Sequence, residues 1–313
     1  HKRFEDHLGF IKKNGINAVV IDFKDDNGVV AYDTALLMPR KIGAVRERIK
    51  IKSLIEKAAE NEIYLIGRIV VFKDQRLYQY NNHQYAVWDR LKNKPWGDRE
   101  SWVDPFSPEV WEYNIAIAEE LERLGVDEIQ FDYIRFPTDG DLSGLSFRHQ
   151  PAGMMKVDAL ESFMAMARER LTVPISIDLY GFNCWYRMEG LTGQNLELLS
   201  AYVDVICPMF YPSHFPDSFL KSGDYLERAK RIYYEGSIRA KELTWGESII
   251  RPYLQAFLIG RELRMEAPEY SEYLIKQIEG TISASAAGFT LWNNSNRYYM
   301  VRKPLTPYLG VEY

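Results

Sequence analysis

Two aspartates stand near the ends of two neighbouring segments that read as β-strands. Asp132 lies near the end of the strand within Gly125–Pro137, which a proline closes, and Asp178 lies near the end of Pro174–Tyr180. A pair of carboxyl groups can split a glycosidic bond, because one donates a proton to the leaving oxygen while the other attacks the sugar carbon or activates water. Burial and mutual repulsion would keep one acid protonated and the other ionised, which separates the two roles. The pattern therefore predicts glycoside hydrolysis by Asp132 and Asp178.

The sequence does not show which of the two acids is the nucleophile and which is the proton donor. We expect Asp132 to be the nucleophile or stabilising carboxylate and Asp178 to be the proton donor. The roles could also be reversed, or a carboxylate on a loop, Glu189 or Glu247, could supply the proton. Retention or inversion of the anomeric configuration depends on the distance between the two acids, and the sequence does not give it.

Further polar and aromatic residues are predicted at the same strand ends, where a parallel α/β barrel places its chemistry. Sugars need hydrogen bonds for their hydroxyl groups and aromatic rings for their C–H faces. Several of these residues also have a purely structural interpretation: Asp22 with Lys24 as an internal ion pair, Arg135 as the charge partner of Asp132, His214 as a turn residue, and Trp292 as core. The predicted substrate-binding residues are Asp22, Lys24, Arg68, Arg135, Tyr180, Tyr211, His214, Gln255 and Trp292, with Trp102 and Trp185 as further candidates for aromatic subsites.

The elements that must position these residues alternate between strand and helix, which is typical of a parallel α/β architecture. In the central strand, Ile129, Phe131 and Tyr133 are predicted to face outward, and Asp132 to face inward with the even-numbered residues. The predicted strands are 16–23, 63–72, 125–137, 174–180, 203–211, 249–257 and 287–292, and the predicted helices are 4–14, 51–60, 109–124, 155–171, 195–202, 224–243 and 270–279. We predict one (β/α)8 TIM barrel over residues 1–313, with its first strand missing or preceding residue 1.

Composition narrows the classes of function. The 313 residues carry a formal net charge of −5 and a pI near 5.7, so nucleic acid is a poor partner. No apolar run is long enough to span a membrane. Cys184 and Cys207 are predicted to be free thiols, and no metal or cofactor is expected, although Asp25 and Asp26 could hold a structural cation. No glycine-rich phosphate loop follows any strand. The aromatic residues, Tyr 21, Phe 15 and Trp 7, are abundant, and many lie in the long connection 73–108, which suggests a surface that stacks sugar rings.

Several sequence blocks resemble a bacterial family of glycoside hydrolase type, domain of unknown function 4015, which is grouped with the glycosidase TIM barrels. The blocks are residues 17–26, 102–105, 127–137, 193–194, 208–215, 251–255 and 291–296, of which Phe131–Pro137 and Pro208–Phe215 are the most specific. The resemblance covers about Phe4 to Tyr298. It implies an eight-stranded barrel that is secreted or associated with the cell envelope and acts on a polysaccharide. The acids of the family fall on Asp132 and Asp178, whereas the segment from Pro216 to Glu247 departs from the family pattern.

Two other functions are compatible with a barrel of this kind. One is a carbohydrate-binding barrel of the cell envelope without catalysis. The other is a lyase or aldolase that uses Lys24 as a Schiff base, which is disfavoured because an amine so close to several carboxylates keeps its proton. The sequence identifies neither the sugar nor the oligomeric state.

Overall fold

The computed structural model describes residues 2–97 and 100–309. They form two compact units, each with its own core. The first comprises residues 2–6, 17–178 apart from 98 and 99, and 187–203; the second comprises residues 7–16, 179–186 and 204–309. Both units alternate parallel strands with helices, so the predicted α/β class is correct.

The first unit is organised around four parallel strands that follow one another in sheet order as β1, β4, β7 and β9. The strands of this part of the chain are β1 (Ala18–Lys24), β2 (Val30–Tyr32), β3 (Val45–Ile49), β4 (Tyr64–Val70), β5 (Trp88–Asp89), β6 (Lys94–Pro95), β7 (Glu128–Asp132), β8 (Leu145–Ser146) and β9 (Ile175–Tyr180). Across the four central strands Asp22 is in register with Arg68, Arg68 with Gln130, and Gln130 with Ser176. Because register partners in a sheet point to the same face, these four side chains share one side.

The connections of the first unit contain structure that the sequence did not predict. Strand β2 returns antiparallel to β1, and β3 pairs parallel to β2. The long connection 73–108 is also more ordered than expected, since its strands β5 and β6 form a small antiparallel sheet with β8. The helices are α1 (Lys2–Asn14, whose first residues lie in this unit and whose remainder lies in the second), α2 (Leu37–Lys41), α3 (Ile51–Glu60), α4 (Gln75–His83), α5 (Pro108–Leu124), α6 (Lys156–Arg170), α7 (Glu189–Thr192) and α8 (Leu196–Leu199).

Helix α5 delivers the chain to β7; it begins one residue before the predicted helix and ends at the predicted residue. Pro108 occupies the first turn and Ser107 the N-cap position, but the Ser107 hydroxyl donates to Glu109 instead of capping the helix. Gly125 ends the helix with φ 101°, a conformation that glycine adopts without strain. The strand β7 that follows is buried along its whole length.

The second unit contains the remaining parallel strands and two long helices. Its elements are β10 (Val205–Met209), α9 (Tyr225–Leu243), β11 (Ile249–Ile250), β12 (Tyr253–Gln255), α10 (Ala267–Ser283) and β13 (Thr290–Trp292). Strand β10 pairs parallel with β11 and β12, and β12 pairs parallel with β13. The single strand predicted at 249–257 is divided, because Pro252 has no N–H to donate to a neighbouring strand.

All seven predicted strand positions hold parallel strands. The prediction for the side chain of Tyr133 is wrong, and the prediction for the two cysteines is confirmed. Strand β7 ends at Asp132, and Tyr133 turns into the left-handed region with φ 52°, so the prediction that Tyr133 continues the outer face is wrong. Cys184 and Cys207 are not joined in a disulfide bond, as predicted. Among the described helices, none combines the length and apolar character that crossing a bilayer requires.

Candidate active site

Arg68 on β4 holds three carboxylates at the carboxyl ends of β1, β7 and β9. Its Nη1 lies 2.7 Å from Asp22 Oδ1, and its Nε donates to Asp132 Oδ2 over 3.0 Å while Nη2 contacts the same oxygen. Its Nε also lies 3.7 Å from Asp178 Oδ2. The planar guanidinium can do this because its donors point in fixed, separate directions. The structure therefore brings Asp22, Arg68, Asp132 and Asp178 together.

Asp132 is fixed at both of its carboxylate oxygens. Arg68 engages Oδ2, and the backbone N–H of Tyr133 donates to Oδ1 over 2.6 Å. Charge-assisted bonds of this kind are short and strong. The left-handed conformation of Tyr133 costs of order 1–3 kcal/mol for a residue other than glycine, and such strain is concentrated at functional sites.

Asp178 differs from Asp132 in its exposure and its distance from the cation. Its side chain is 2% exposed, against 9% for Asp132, and the guanidinium nitrogen lies farther away. The Oδ2 atoms of Asp132 and Asp178 both lie near the same atom, Arg68 Nε, so the two side chains converge. Two carboxyl groups in different surroundings, one strongly bonded to a cation and one nearly sealed from solvent, provide the asymmetry that acid–base catalysis requires.

Lys24 does not reach this cluster, which corrects its prediction as a substrate-binding residue. Its side chain is fully buried, lies 2.8 Å from Asp74 Oδ2, and donates to the Val70 carbonyl over 2.5 Å. The register between β1 and β4 shifts between Asp22 and Lys24, so the two side chains do not follow simple alternation. Gly28 packs against this ion pair: a Cβ there would lie 1.9 Å from Asp74 Oδ1. Because its amine contacts Asp74 and Val70 and does not reach Asp22, Arg68, Asp132 or Asp178, the structure gives no support to the lyase or aldolase alternative.

Arg135 is also buried, and Arg68 forms an ion pair with Asp132. The Arg135 guanidinium stacks 4.7 Å from the Trp102 ring and donates to the Phe136 carbonyl and the Thr138 hydroxyl. Trp102 is completely buried, so it is not an exposed sugar-stacking surface. Both residues are buried and pack within the loop region after β7, which corrects their prediction as direct substrate contacts.

The second unit gathers the predicted aromatic residues at the carboxyl ends of its own strands. The Tyr211 ring lies 5.3 Å from His214 and 5.4 Å from Phe257, and Phe257 lies 5.8 Å from Trp292. His214 is exposed, and Phe257 and Trp292 are half-buried. Tyr180, at the end of β9, is half-buried as well. We name Tyr211, His214, Phe257 and Trp292 the aromatic cluster.

Gln255 is a structural residue of the second unit, contrary to the prediction that it binds substrate. It is fully buried, its Oε1 accepts from the Ser213 N–H and hydroxyl, and its Nε2 donates to the Phe257 carbonyl. The amide thus links the loop after β10, which carries His214, to the loop after β12. Its hydrogen-bonding groups are used internally, so Gln255 supports the aromatic cluster without facing a ligand.

The remaining candidates are placed as follows. Glu247 is exposed in the turn before β11, at the amino end of that strand, which excludes it as the proton donor. Glu189 begins α7 and is half-buried. Asp25 accepts from the N–H groups of Asn27 and Val29, and within residues 2–97 and 100–309 no group of three His, Cys, Asp or Glu side chains could hold a metal ion.

Three residues of this region were missed from the sequence. Phe257 follows β12 by two residues, and it could have been found as the aromatic residue at the end of the predicted strand 249–257. Asp74 and Tyr133 carry no sequence signal, because the buried partner of Lys24 and a positive φ at tyrosine both depend on tertiary contacts.

Comparison with known proteins identifies the family and the fold of this chain. Residues 1–298 match a family described as "Putative glycosyl hydrolase domain". A search of curated proteins found no match. Among solved structures, a hypothetical protein from Ruminiclostridium thermocellum is 32% identical, over 61% of this chain and 93% of its own, with a TM-score of 0.52.

Two structures with lower identity share the fold over nearly the whole chain. The PgaB (BpsB) glycoside hydrolase domain from Bordetella bronchiseptica is 15% identical, with 97% of this chain and 91% of that chain covered and a TM-score of 0.64. The α-galactosidase TtGalA from Thermus thermophilus, solved with stachyose, is 13% identical, with 100% and 62% covered and a TM-score of 0.56. These similarities confirm the predicted α/β barrel fold. The chain belongs to the glycosyl hydrolase family designated domain of unknown function 4015, as its motifs predicted.

Proposed function

We propose that this chain hydrolyses O-glycosidic bonds of an oligosaccharide or polysaccharide with Asp132 and Asp178 as its two catalytic carboxyl groups. The observation that supports this most directly is the convergence of both acids on Arg68 from the ends of neighbouring strands. Membership of a glycosyl hydrolase family supplies the reaction class. The pair supplies the chemistry that this class needs.

The surroundings of the two acids support distinct roles. Asp132 accepts hydrogen bonds at both oxygens from N–H donors, which hold its carboxylate in place as a nucleophile or stabilising carboxylate requires. Asp178 is 2% exposed and lies farther from the guanidinium than Asp132 does, and this different setting supports the second role, that of proton donor. We therefore assign Asp132 as the nucleophile or stabilising carboxylate and Asp178 as the general acid.

Asp22 and Arg68 are proposed to complete the polar part of the site, since Asp22 is the most exposed of the three carboxylates, at 56%. A sugar hydroxyl can donate to it without leaving a buried group unpaired. In the second unit, Tyr180 and the aromatic cluster are proposed to bind the C–H faces of sugar rings. Aromatic side chains combine a large apolar surface with polar edges, which suits such ligands.

The test compares variants on a panel of soluble polysaccharides, with release of reducing ends as the measurement. We expect Asp132→Asn and Asp178→Asn to lose nearly all activity while still binding the glycan. Asp139→Asn, which changes an exposed aspartate in the loop after β7, should behave as the wild type. Full activity of either acid variant would refute the assignment. A wild type that binds a glycan and releases nothing would favour the carbohydrate-binding module.

The roles of the two acids can be separated with an activated aryl glycoside of the sugar that the wild type cleaves. A good leaving group needs no proton, so Asp178→Ala should recover much of its rate on this substrate whereas Asp132→Ala should not. Recovery by Asp132→Ala instead would reverse the assignment.

We also propose that the protein acts outside the cytoplasm, on a cell-envelope or secreted glycan. This location is carried over from the family resemblance. Fractionation of cells that express the full-length native protein would test it, since recovery of the protein with cytoplasmic markers alone would contradict export.

A further inference from the structure

Tyr133 combines a strained backbone with direct contact to a proposed catalytic acid. It follows Asp132 immediately and has φ 52°, a conformation that is rare for a bulky side chain. In this conformation its N–H points back to Asp132 Oδ1 at 2.6 Å. In an extended continuation of β7 the N–H of residue 133 would instead point to a neighbouring strand.

The backbone on either side of the turn is fixed by the two residues that follow β4. The Asp132 carbonyl accepts from the N–H of Val71 at 2.9 Å, and the Tyr133 carbonyl accepts from the N–H of Phe72 at 3.3 Å. The left-handed residue is therefore held in place at the end of the sheet and is not part of a mobile loop.

The Tyr133 ring is held from several sides, which explains how the strain persists. Lys73 Nζ lies 5.0 Å from the ring centroid, the Arg135 guanidinium lies 5.3 Å away, and the Trp102 ring lies 5.8 Å away. Glu100 connects two of these neighbours, since it accepts from Lys73 at 2.7 Å and from Trp102 Nε1 at 2.9 Å. A strained residue survives where its surroundings determine its position in this way.

We propose that Tyr133 is a positioning residue for Asp132, and that its function lies in its left-handed backbone. The ring and its cationic neighbours hold the backbone in that conformation. The N–H then fixes Oδ1 of Asp132 while Arg68 fixes Oδ2, so the plane of the carboxylate is set from both sides. This inference rests on the proposed catalytic role of Asp132.

The proposal predicts an unusual order of kcat among variants at position 133, because residues differ in how readily they adopt positive φ. Glycine adopts it freely, asparagine tolerates it, and alanine and serine avoid it. On the glycan that the wild type cleaves, we expect Tyr133→Gly to stay within about tenfold of the wild-type kcat, because glycine keeps the turn without strain. Tyr133→Ala should lose about 100-fold in kcat, with little change in KM, because a small misplacement of a catalytic group is costly.

Tyr133→Asn and Tyr133→Ser form a second pair in case the alanine variant does not fold, and asparagine should retain the higher kcat. Tyr133→Phe, which keeps the ring and removes only the hydroxyl, should match the wild type. A role in packing alone would predict the opposite, with alanine equal to or better than glycine.

A readout independent of catalysis separates failure of this proposal from failure of the proposed function. In NMR spectra of the labelled protein, the amide signal of residue 133 should follow the titration of the Asp132 carboxylate in the wild type and in Tyr133→Gly, but not in Tyr133→Ala. If the wild type cleaves no glycan, the hydrolase function fails while this measurement still decides on positioning. Equal behaviour of the glycine and alanine variants in the titration would overturn the proposal.

Discussion

Lys24 Nζ and Asp74 Oδ2 lie 2.8 Å apart with both side chains completely buried. Lys24 ends β1, and Asp74 caps α4 by accepting from the Leu77 N–H at 2.8 Å. The ammonium also donates to the carbonyl of Val70, the last residue of β4. The ion pair therefore ties together the ends of the two strands that carry Asp22 and Arg68.

Removal of Lys24 should cost much of the stability of the protein. Lys24→Met leaves the Asp74 carboxylate buried without its cation, and we expect a loss of about 3–5 kcal/mol in the free energy of unfolding. Denaturant titration measures this loss. Adding Asp74→Asn to Lys24→Met should recover part of it, because asparagine can still cap α4 and no buried charge remains.

The matched control for this prediction is Lys50→Met, which breaks an exposed ion pair with Glu47 at 2.6 Å. A surface pair contributes at most about 1 kcal/mol. If Lys24→Met were no more destabilising than Lys50→Met, the internal pair would not hold the strand ends as we describe.

Replacement of Arg68 by lysine should impair catalysis even though the charge is kept. The guanidinium reaches Asp22 through Nη1 and both Asp132 and Asp178 through Nε, and a single ammonium group cannot reproduce that geometry. We expect Arg68→Lys to lower kcat by about 10- to 100-fold through misplacement of Asp132. Arg46→Lys, at an exposed position of β3, serves as the control, and an Arg68→Lys variant with wild-type kcat would contradict this role.

The stability contributed by Glu100 should depend on pH. Burial by itself would raise the pKa of Glu100, but hydrogen bonds from Lys73 and Trp102 outweigh it and lower the pKa below the ordinary value of 4.5. A carboxylate whose folded pKa is depressed stabilises the protein above its unfolded pKa, and this stability is lost as the pH falls through the folded pKa.

The difference in urea midpoint between the wild type and Glu100→Gln should therefore be largest near neutral pH. It should shrink as the pH is lowered below 4.5. A difference that stayed constant from pH 7 to pH 3 would show that the ionised form of Glu100 is not what the two donors stabilise.

Truncation of Phe257 should weaken substrate binding more than it slows the chemical step. Phe257 contacts both Tyr211 and Trp292, so Phe257→Ala opens the middle of the aromatic cluster. We expect KM to rise several-fold with a smaller change in kcat, as for a residue that binds the substrate and transition state alike. Trp245→Ala is the control: this tryptophan is 82% exposed in the turn before β11, and its loss should leave KM unchanged.

The sequence predicted the strands well because each is a short apolar run between a helix and a turn. It also placed Asp132, Asp178 and Arg68 correctly at strand ends, since alternation within a regular strand fixes the face of each side chain. The prediction fails where alternation itself fails. The shift in register after Asp22 takes Lys24 into the core, and the positive φ at Tyr133 ends β7 early.

Other errors arose from polar side chains whose hydrogen bonds are made to other residues of the same chain. Gln255 and Arg135 are polar residues at strand ends, as a binding site requires, yet their donors and acceptors are used by Ser213, Phe257, Phe136 and Thr138. A buried amide with internal partners and an exposed amide facing a ligand have the same sequence pattern. Tertiary contacts alone distinguish them.

The glycine at position 28 limits how this protein can be engineered. Any side chain added there would collide with Asp74, so variation in the hairpin turn between β1 and β2 would disturb the internal ion pair before it changed ligand preference. Phe257, in the loop after β12, and Trp292, the residue from which the loop after β13 begins, have rings that are partly open to solvent. Libraries aimed at new sugar specificities should accordingly diversify those two loops and leave the first hairpin intact.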